Sequence, residues 1–144
     1  KKGRAYLQTF SPEHYVLNLA ADQNYDEFFR QECEIRKALL FPPYCDICEI
    51  GLSSVDESAC KKGSDSFVKL FMNNLEGHGI PIRVLGPSAC SVAKVNGKYR
   101  YRIIIKCRNN KEFRLVMKAT LLDAYKSPAL DKVSFFVDMN GEII

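Results

Sequence analysis

From Lys98 the chain reads Lys-Tyr-Arg-Tyr-Arg-Ile-Ile-Ile-Lys, and the first half of that run alternates polar and apolar residues with the period of a strand. Lys98, Arg100, Arg102 and Lys106 fall on one face, and Tyr99, Tyr101, Ile103, Ile105 and Cys107 on the other. Asn96-Gly97, just before it, is the strongest two-residue hairpin signal in the chain. Residues 80–85 and 91–95 read as two further strands around Gly86-Pro87, 44–52 as an earlier strand and 133–137 as the last. Two helical patterns lie between them. The first follows Ser54-Val55-Asp56-Glu57, a capping box, and sets Phe67, Val68, Phe71 and Leu75 toward a core. Gly63 weakens its opening turns, so the regular helix is expected nearer Asp65; Gly77-His78-Gly79 ends it. The second opens at Asn109-Asn110-Lys111-Glu112 and runs to about Tyr125, with Phe113, Val116, Thr120 and Leu121 as its core stripe and Ser127-Pro128 as its stop.

From residue 44 the predicted order is therefore β-α-β-β-β-α-β. That is an α+β fold, a mainly antiparallel sheet with helices packed on one face. Upstream, residues 5–10 are strand-like and 15–21 form a short apolar run, followed by a polar turn at 22–24. Tyr25 opens a helical spacing that runs to about Leu40 through Phe28, Phe29, Cys33, Ile35 or Arg36, and Leu39 or Leu40, and Pro42-Pro43 stops it because proline has no N–H to donate. The expected division is 1–24 and 25–144.

Charge sharpens this picture. Residues 94–118 hold nine Lys/Arg and a single acid, a local +8 in a chain whose formal total is +4. Gathered charge of this kind answers to a polyanion or an acidic peptide. Cations on alternate strand positions stand about 7 Å apart, near the phosphate spacing of an extended single strand. The alternative is that they merely solvate an outward sheet face.

A chain of 144 residues with this composition suits one domain and an appendage. No apolar run approaches the roughly 20 residues that span a bilayer, and no secretory leader pattern is present, so a soluble cytoplasmic protein is expected. The chain does not begin with Met and is expected to be part of something longer. Of six cysteines, Cys45-x-x-Cys48 has the spacing of half a zinc site, but no second pair or following histidine completes it. On a strand the two would also face opposite ways, and reduced thiols acting as small core residues are the better reading.

Four stretches together carry a resemblance: Gly3-Arg-Ala-Tyr-Leu-Gln-Thr-Phe-Ser-Pro-Glu-His14; Tyr25-x-x-Phe-Phe-x-x-Glu32 with Arg36-x-x-Leu-x-Phe-Pro-Pro-Tyr44; Val84-Leu-Gly-Pro-Ser88 through Val95-Asn-Gly-Lys-Tyr-Arg-Tyr-Arg-Ile-Ile-Ile-Lys106; and Phe135-Phe-Val-Asp138. In this order they resemble the C-terminal end of the PriA (primosomal protein N′) family of replication-restart helicases. The resemblance implies that residues 1 to about 24 are the tail of the second RecA-like helicase lobe. It implies that 25–144 form a C-terminal domain whose fold resembles a small-subunit ribosomal protein. It further implies a parent that unwinds forked DNA 3′-to-5′ with ATP and loads a primosome. Its C-terminal domain would touch DNA and the acidic tail of single-stranded-DNA-binding protein (SSB). The chain departs from the family pattern at Ser88-Ala-Cys-Ser91 and at Asp138-Met-Asn-Gly141.

The catalytic parts of such a parent are absent here. No Gly-x-x-x-x-Gly-Lys-Ser/Thr phosphate cradle occurs, so ATP, Mg²⁺ and the family's zinc are expected only in the remainder of the parent, and this stretch is expected not to be an enzyme. His14 and His78 sit in no nucleophile–base arrangement. Binding is left. In one reading Lys94, Lys98, Arg100, Arg102, Lys106 and Arg108 neutralise DNA phosphates, with Tyr99 and Tyr101 better placed for the core than for stacking on bases. In a second, Lys111, Arg114 and Lys118 on one helix face receive the acidic SSB tail. In a third, the domain braces the helicase lobes without touching DNA, using Tyr6, Phe10, Tyr15, Val16 and Leu19.

Overall fold

The computed structural model describes residues 3–141; residues 1–2 and 142–144, which the expected domain spans include, lie outside the described residues. By its internal contacts the chain divides into two units, Lys1–Leu39 and Leu40–Ile144.

In the first unit the apolar run forms helix α1 (Tyr15–Ala21), which His14 caps by accepting the Val16 N–H at its Nδ1 (3.4 Å). Asn24 caps the next helix, α2 (Tyr25–Leu39), by accepting the Glu27 N–H (3.2 Å). The Tyr15 hydroxyl donates to Glu32 (2.8 Å) and ties the two helices together. The division by contacts thus falls after Leu39, and residues 22–24 are the turn inside a helix pair. The strand expected at 5–10 does not form. A strand needs a neighbour for its N–H and C=O groups, and Tyr6, Leu7 and Phe10 instead lie exposed in irregular chain.

The second unit is an antiparallel sheet of β1 (Asp46–Ser54), β2 (Arg83–Val95), β3 (Lys98–Cys107) and β4 (Ser134–Met139) in the order β2-β3-β1-β4. Helices α3 (Glu57–Leu75) and α4 (Lys111–Lys126) cover one face. Cys48, Ile50 and Leu52 of β1 and Ile103, Ile105 and Cys107 of β3 meet Phe67, Phe71, Phe113 and Val116 of the helices in one core. Phe67 packs edge-on to Phe135 and Phe71 to Phe113. The two deepest helix hydroxyls find backbone acceptors: Ser64 donates to the Cys60 carbonyl (2.8 Å) and Thr120 to that of Val116 (2.9 Å).

The α+β architecture is as expected, with two corrections. Gly86-Pro87 does not separate two strands. The stretch is a single thirteen-residue strand whose register against β3 shifts between Leu85 and Ser88 and again between Ala89 and Lys94. A bulge absorbs the proline, which cannot donate to the ladder. The sheet accordingly has four strands, and residues 80–82 precede it. Helix α3 begins at Glu57 with Asp56, not Ser54, as its cap, the Asp56 carboxylate accepting the Ala59 N–H (3.2 Å). Gly63 sits inside it because a Cβ there would stand 2.8 Å from a methyl of Val133 and 3.2 Å from one of Leu130. Packing outweighs the roughly 1 kcal/mol that glycine costs a helix interior. The Asn96-Gly97 hairpin forms as read, both residues at positive φ (49° and 78°).

One polar clamp closes the end of the sheet. The Asp46 carboxylate accepts the Asn109 N–H (2.8 Å) and the Asn140 side-chain amide (2.9 Å), while Asn140 accepts the Ile47 N–H (2.8 Å) and donates its own N–H to the Ile47 carbonyl (2.7 Å). These bonds, the Asn109 N–H first, hold the Asp46 carboxyl below its ordinary pKa. A depressed folded-state value contributes stability that is present above the unfolded pKa of about 4 and fades as pH falls through the folded one. Asp46→Ala is expected to lose about 1–3 kcal/mol at pH 7. Denaturant unfolding at pH 7 and pH 3 should show the gap to the wild type narrowing in acid; a gap independent of pH would refute the clamp.

Candidate nucleic-acid interface

The sheet has two unlike faces, and β3 shows why. Ile103, Ile105 and Cys107 are driven into the core, so the intervening side chains must leave on the opposite side. Among the described residues of this unit both long helices lie on the core side. The other face is organised in rows across three strands. Gly51 pairs with Arg102 on one side and Phe136 on the other; Ser53 pairs with Arg100 and Ser134; Glu49 pairs with Ile104 and Asp138.

The six cations of the first reading have different surroundings. Lys98, Arg100 and Arg102 do share the helix-free face, Lys98 exposed and the two arginines half-buried. Lys106 has the same parity but is only 8% exposed, with its Nζ 3.9 Å from the centroid of the Phe41 ring. That cation–π contact holds its ammonium at the sheet end. Lys94 pairs with Tyr99, so it belongs to the opposite face, its Nζ 4.5 Å from the ring centroid and 3.4 Å from the hydroxyl. Arg108 is exposed beyond the end of β3. Tyr101 packs against the core.

On α4, Lys111, Arg114 and Lys118 are all exposed. Arg114 and Lys118 edge a groove of about 320 Å³ between α4 and β4, floored by Phe113, Met117, Leu121 and Val137. Lys111 lies outside its lining. Leu122, Tyr125 and Met139, which the core stripe did not include, also line this groove. Phe136, missed likewise, is 55% exposed on the helix-free face. Its signal was present: in Phe135-Phe136 on a half-buried strand, one of two adjacent aromatics has to face outward.

The six cysteines are free thiols. Burial pushes Cys48 and Cys107 up to about 12, so both stay protonated core groups. No three His, Cys, Asp or Glu side chains among the described residues are grouped to hold a metal. His78 meets Glu112 at 3.1 Å on the surface. Among the described residues no helix is long and apolar enough to cross a membrane.

Residues 37–140 match the family profile described as primosomal protein N C-terminal domain. Three curated relatives are similar along the chain, all called Replication restart protein PriA. The Bacillus subtilis protein is 27% identical over 97% of this chain and 17% of its own length. That of Rickettsia typhi is 30% identical over 95% of the chain and 20% of its own length. That of Rickettsia prowazekii is 33% identical over 72% of the chain and 15% of its own length. The chain thus spans about a fifth or less of these relatives.

Proposed function

The chain belongs to the primosomal protein N C-terminal domain family, and on that premise we propose that it is the non-catalytic, DNA-contacting domain of a replication-restart helicase. The observation that carries this reading is the helix-free sheet face with Lys98, Arg100 and Arg102 side by side. Three cations on a rigid strand neutralise successive phosphates and release their counterions, which gives affinity that is steep in salt and indifferent to sequence. Lys106 and Lys94, each held on an aromatic ring, play a smaller part than their charge suggests. ATP hydrolysis, Mg²⁺, zinc and 3′-to-5′ unwinding belong on this proposal to the rest of a cytoplasmic parent, along with its other primosome partners. Residues 1 to about 24 would be the tail of its second RecA-like lobe, with the exposed Tyr6, Leu7 and Phe10 covered by that lobe. The likeness to a small-subunit ribosomal protein is part of the same proposal.

The groove between α4 and β4 favours a second role. An apolar floor with Arg114 and Lys118 at its edge suits an acidic peptide whose terminal carboxylate and aspartates meet the two cations, the chemistry that the resemblance implies for the SSB tail.

Fluorescence anisotropy with a labelled single strand and a forked duplex across a salt series tests the first role. Arg100→Glu/Arg102→Glu should lower affinity at least tenfold at about 0.1 M salt and flatten the salt slope by more than one. Equal binding by variant and wild type would place DNA elsewhere. For the second role, Arg114→Glu/Lys118→Glu should weaken an acidic C-terminal peptide about tenfold or more while leaving Arg100- and Arg102-dependent DNA binding in place; unchanged peptide affinity would remove the groove from consideration.

A further inference from the structure

Phe136 and Gly51 form an arrangement that phosphate neutralisation does not use. Single exposed apolar residues are ordinary on protein surfaces. This one differs in what lies beneath and around it. Gly51 is in the middle of β1, a strand with neighbours on both sides, where a glycine weakens the strand. Its missing Cβ is the space that the Phe136 ring occupies: a Cβ built there would run into the Cε1 and Cζ atoms of that ring. The ring therefore reaches over the backbone of the central strand toward Arg102, the residue paired with Gly51 on its other side.

Two cavities share this ring as a wall. One, about 300 Å³, is bounded by Arg100, Arg102, Glu49 and Asp138; the other, about 260 Å³, by Lys98, Arg100 and Asn96. Charge is segregated across the face. The cations stand on β3, beside the β2–β3 hairpin, whereas Glu49 and Asp138 stand on β1 and β4. A phosphate backbone is drawn to the first side and repelled from the second. A strand lying along β3 therefore turns its bases inward, over Gly51 and onto the ring. The base edges then face two carboxylates, which accept hydrogen bonds from the N–H groups of an unpaired base, the thymine N3–H included.

From this geometry we infer that Phe136 is a stacking platform for an unpaired nucleobase, so that the sheet face takes single-stranded rather than fully duplex nucleic acid. The inference rests on the DNA-binding reading of β3 and adds the class of strand to it. Paired bases are stacked within the helix and offer no free ring face to Phe136, whereas an unpaired base does.

The test uses the 144-residue chain and two twenty-nucleotide probes of equal phosphate count, oligothymidylate and an abasic strand. Stacking is expected to make oligothymidylate bind about tenfold more tightly than the abasic strand. Phe136→Ala should erase that preference while leaving the salt slope as in the wild type, because the cations remain. The chain contains no tryptophan, so Phe136→Trp introduces a unique reporter. It should keep the preference, and its indole emission should be quenched by oligothymidylate and not by the abasic strand. Retention of the preference by Phe136→Ala, or binding of oligothymidylate without quenching, would overturn the platform. Equal salt-dependent binding of both probes by the wild type would overturn it while leaving the cationic strand standing. If neither probe binds, the DNA-binding reading fails and the platform with it.

Discussion

Everything on the helix-free face follows from one-sided burial of the sheet. With Ile103, Ile105 and Cys107 fixed in the core against α3 and α4, the two-residue period of β3 leaves Arg100 and Arg102 no place but the opposite face. A one-residue slip would put both guanidinium groups under the helices, where an unpaired charge costs several kcal/mol or more. The same register sets Gly51 between Arg102 and Phe136. Packing on one side of the sheet thereby specifies chemistry on the other.

That coupling explains how much was legible beforehand. Strict alternation from Lys98, the Asn96-Gly97 turn and the Phe67/Phe71 and Phe113/Val116 stripes are local signals, and each produced the element it predicts. What was not legible depends on partners distant in sequence. Gly63 reads as a helix breaker until Leu130 and Val133 are seen against it. Gly86-Pro87 reads as a strand end until β3 is there to hold a bulged ladder. The 5–10 segment has a strand's composition, but no strand among the described residues pairs with it. Charge was the most misleading signal. The cations gathered at residues 94–118 are dispersed in space: Lys94 goes to the other face, Lys106 is held on the Phe41 ring, and Arg114 and Lys118 go to a groove on α4.

The dispersal divides the unit into two surfaces of different character. The helix-free face joins a short cationic run to an exposed aromatic and two carboxylates, a combination suited to a strand with its bases free. The α4–β4 groove joins an apolar floor to two cations, a combination suited to an acidic peptide. Both use β4, which gives Phe136 and Asp138 to the first surface and Val137 and Met139 to the second, so the two lie on opposite sides of that strand.

The central claim is that DNA meets the helix-free face, and amide chemical-shift mapping of the isotopically labelled chain tests it most directly. Titration with a single-stranded oligonucleotide is predicted to shift amides at 98–104, Gly51 and Phe136, while those of α4 stay in place. Shifts confined to α4 and the β4 edge of its groove would contradict the account.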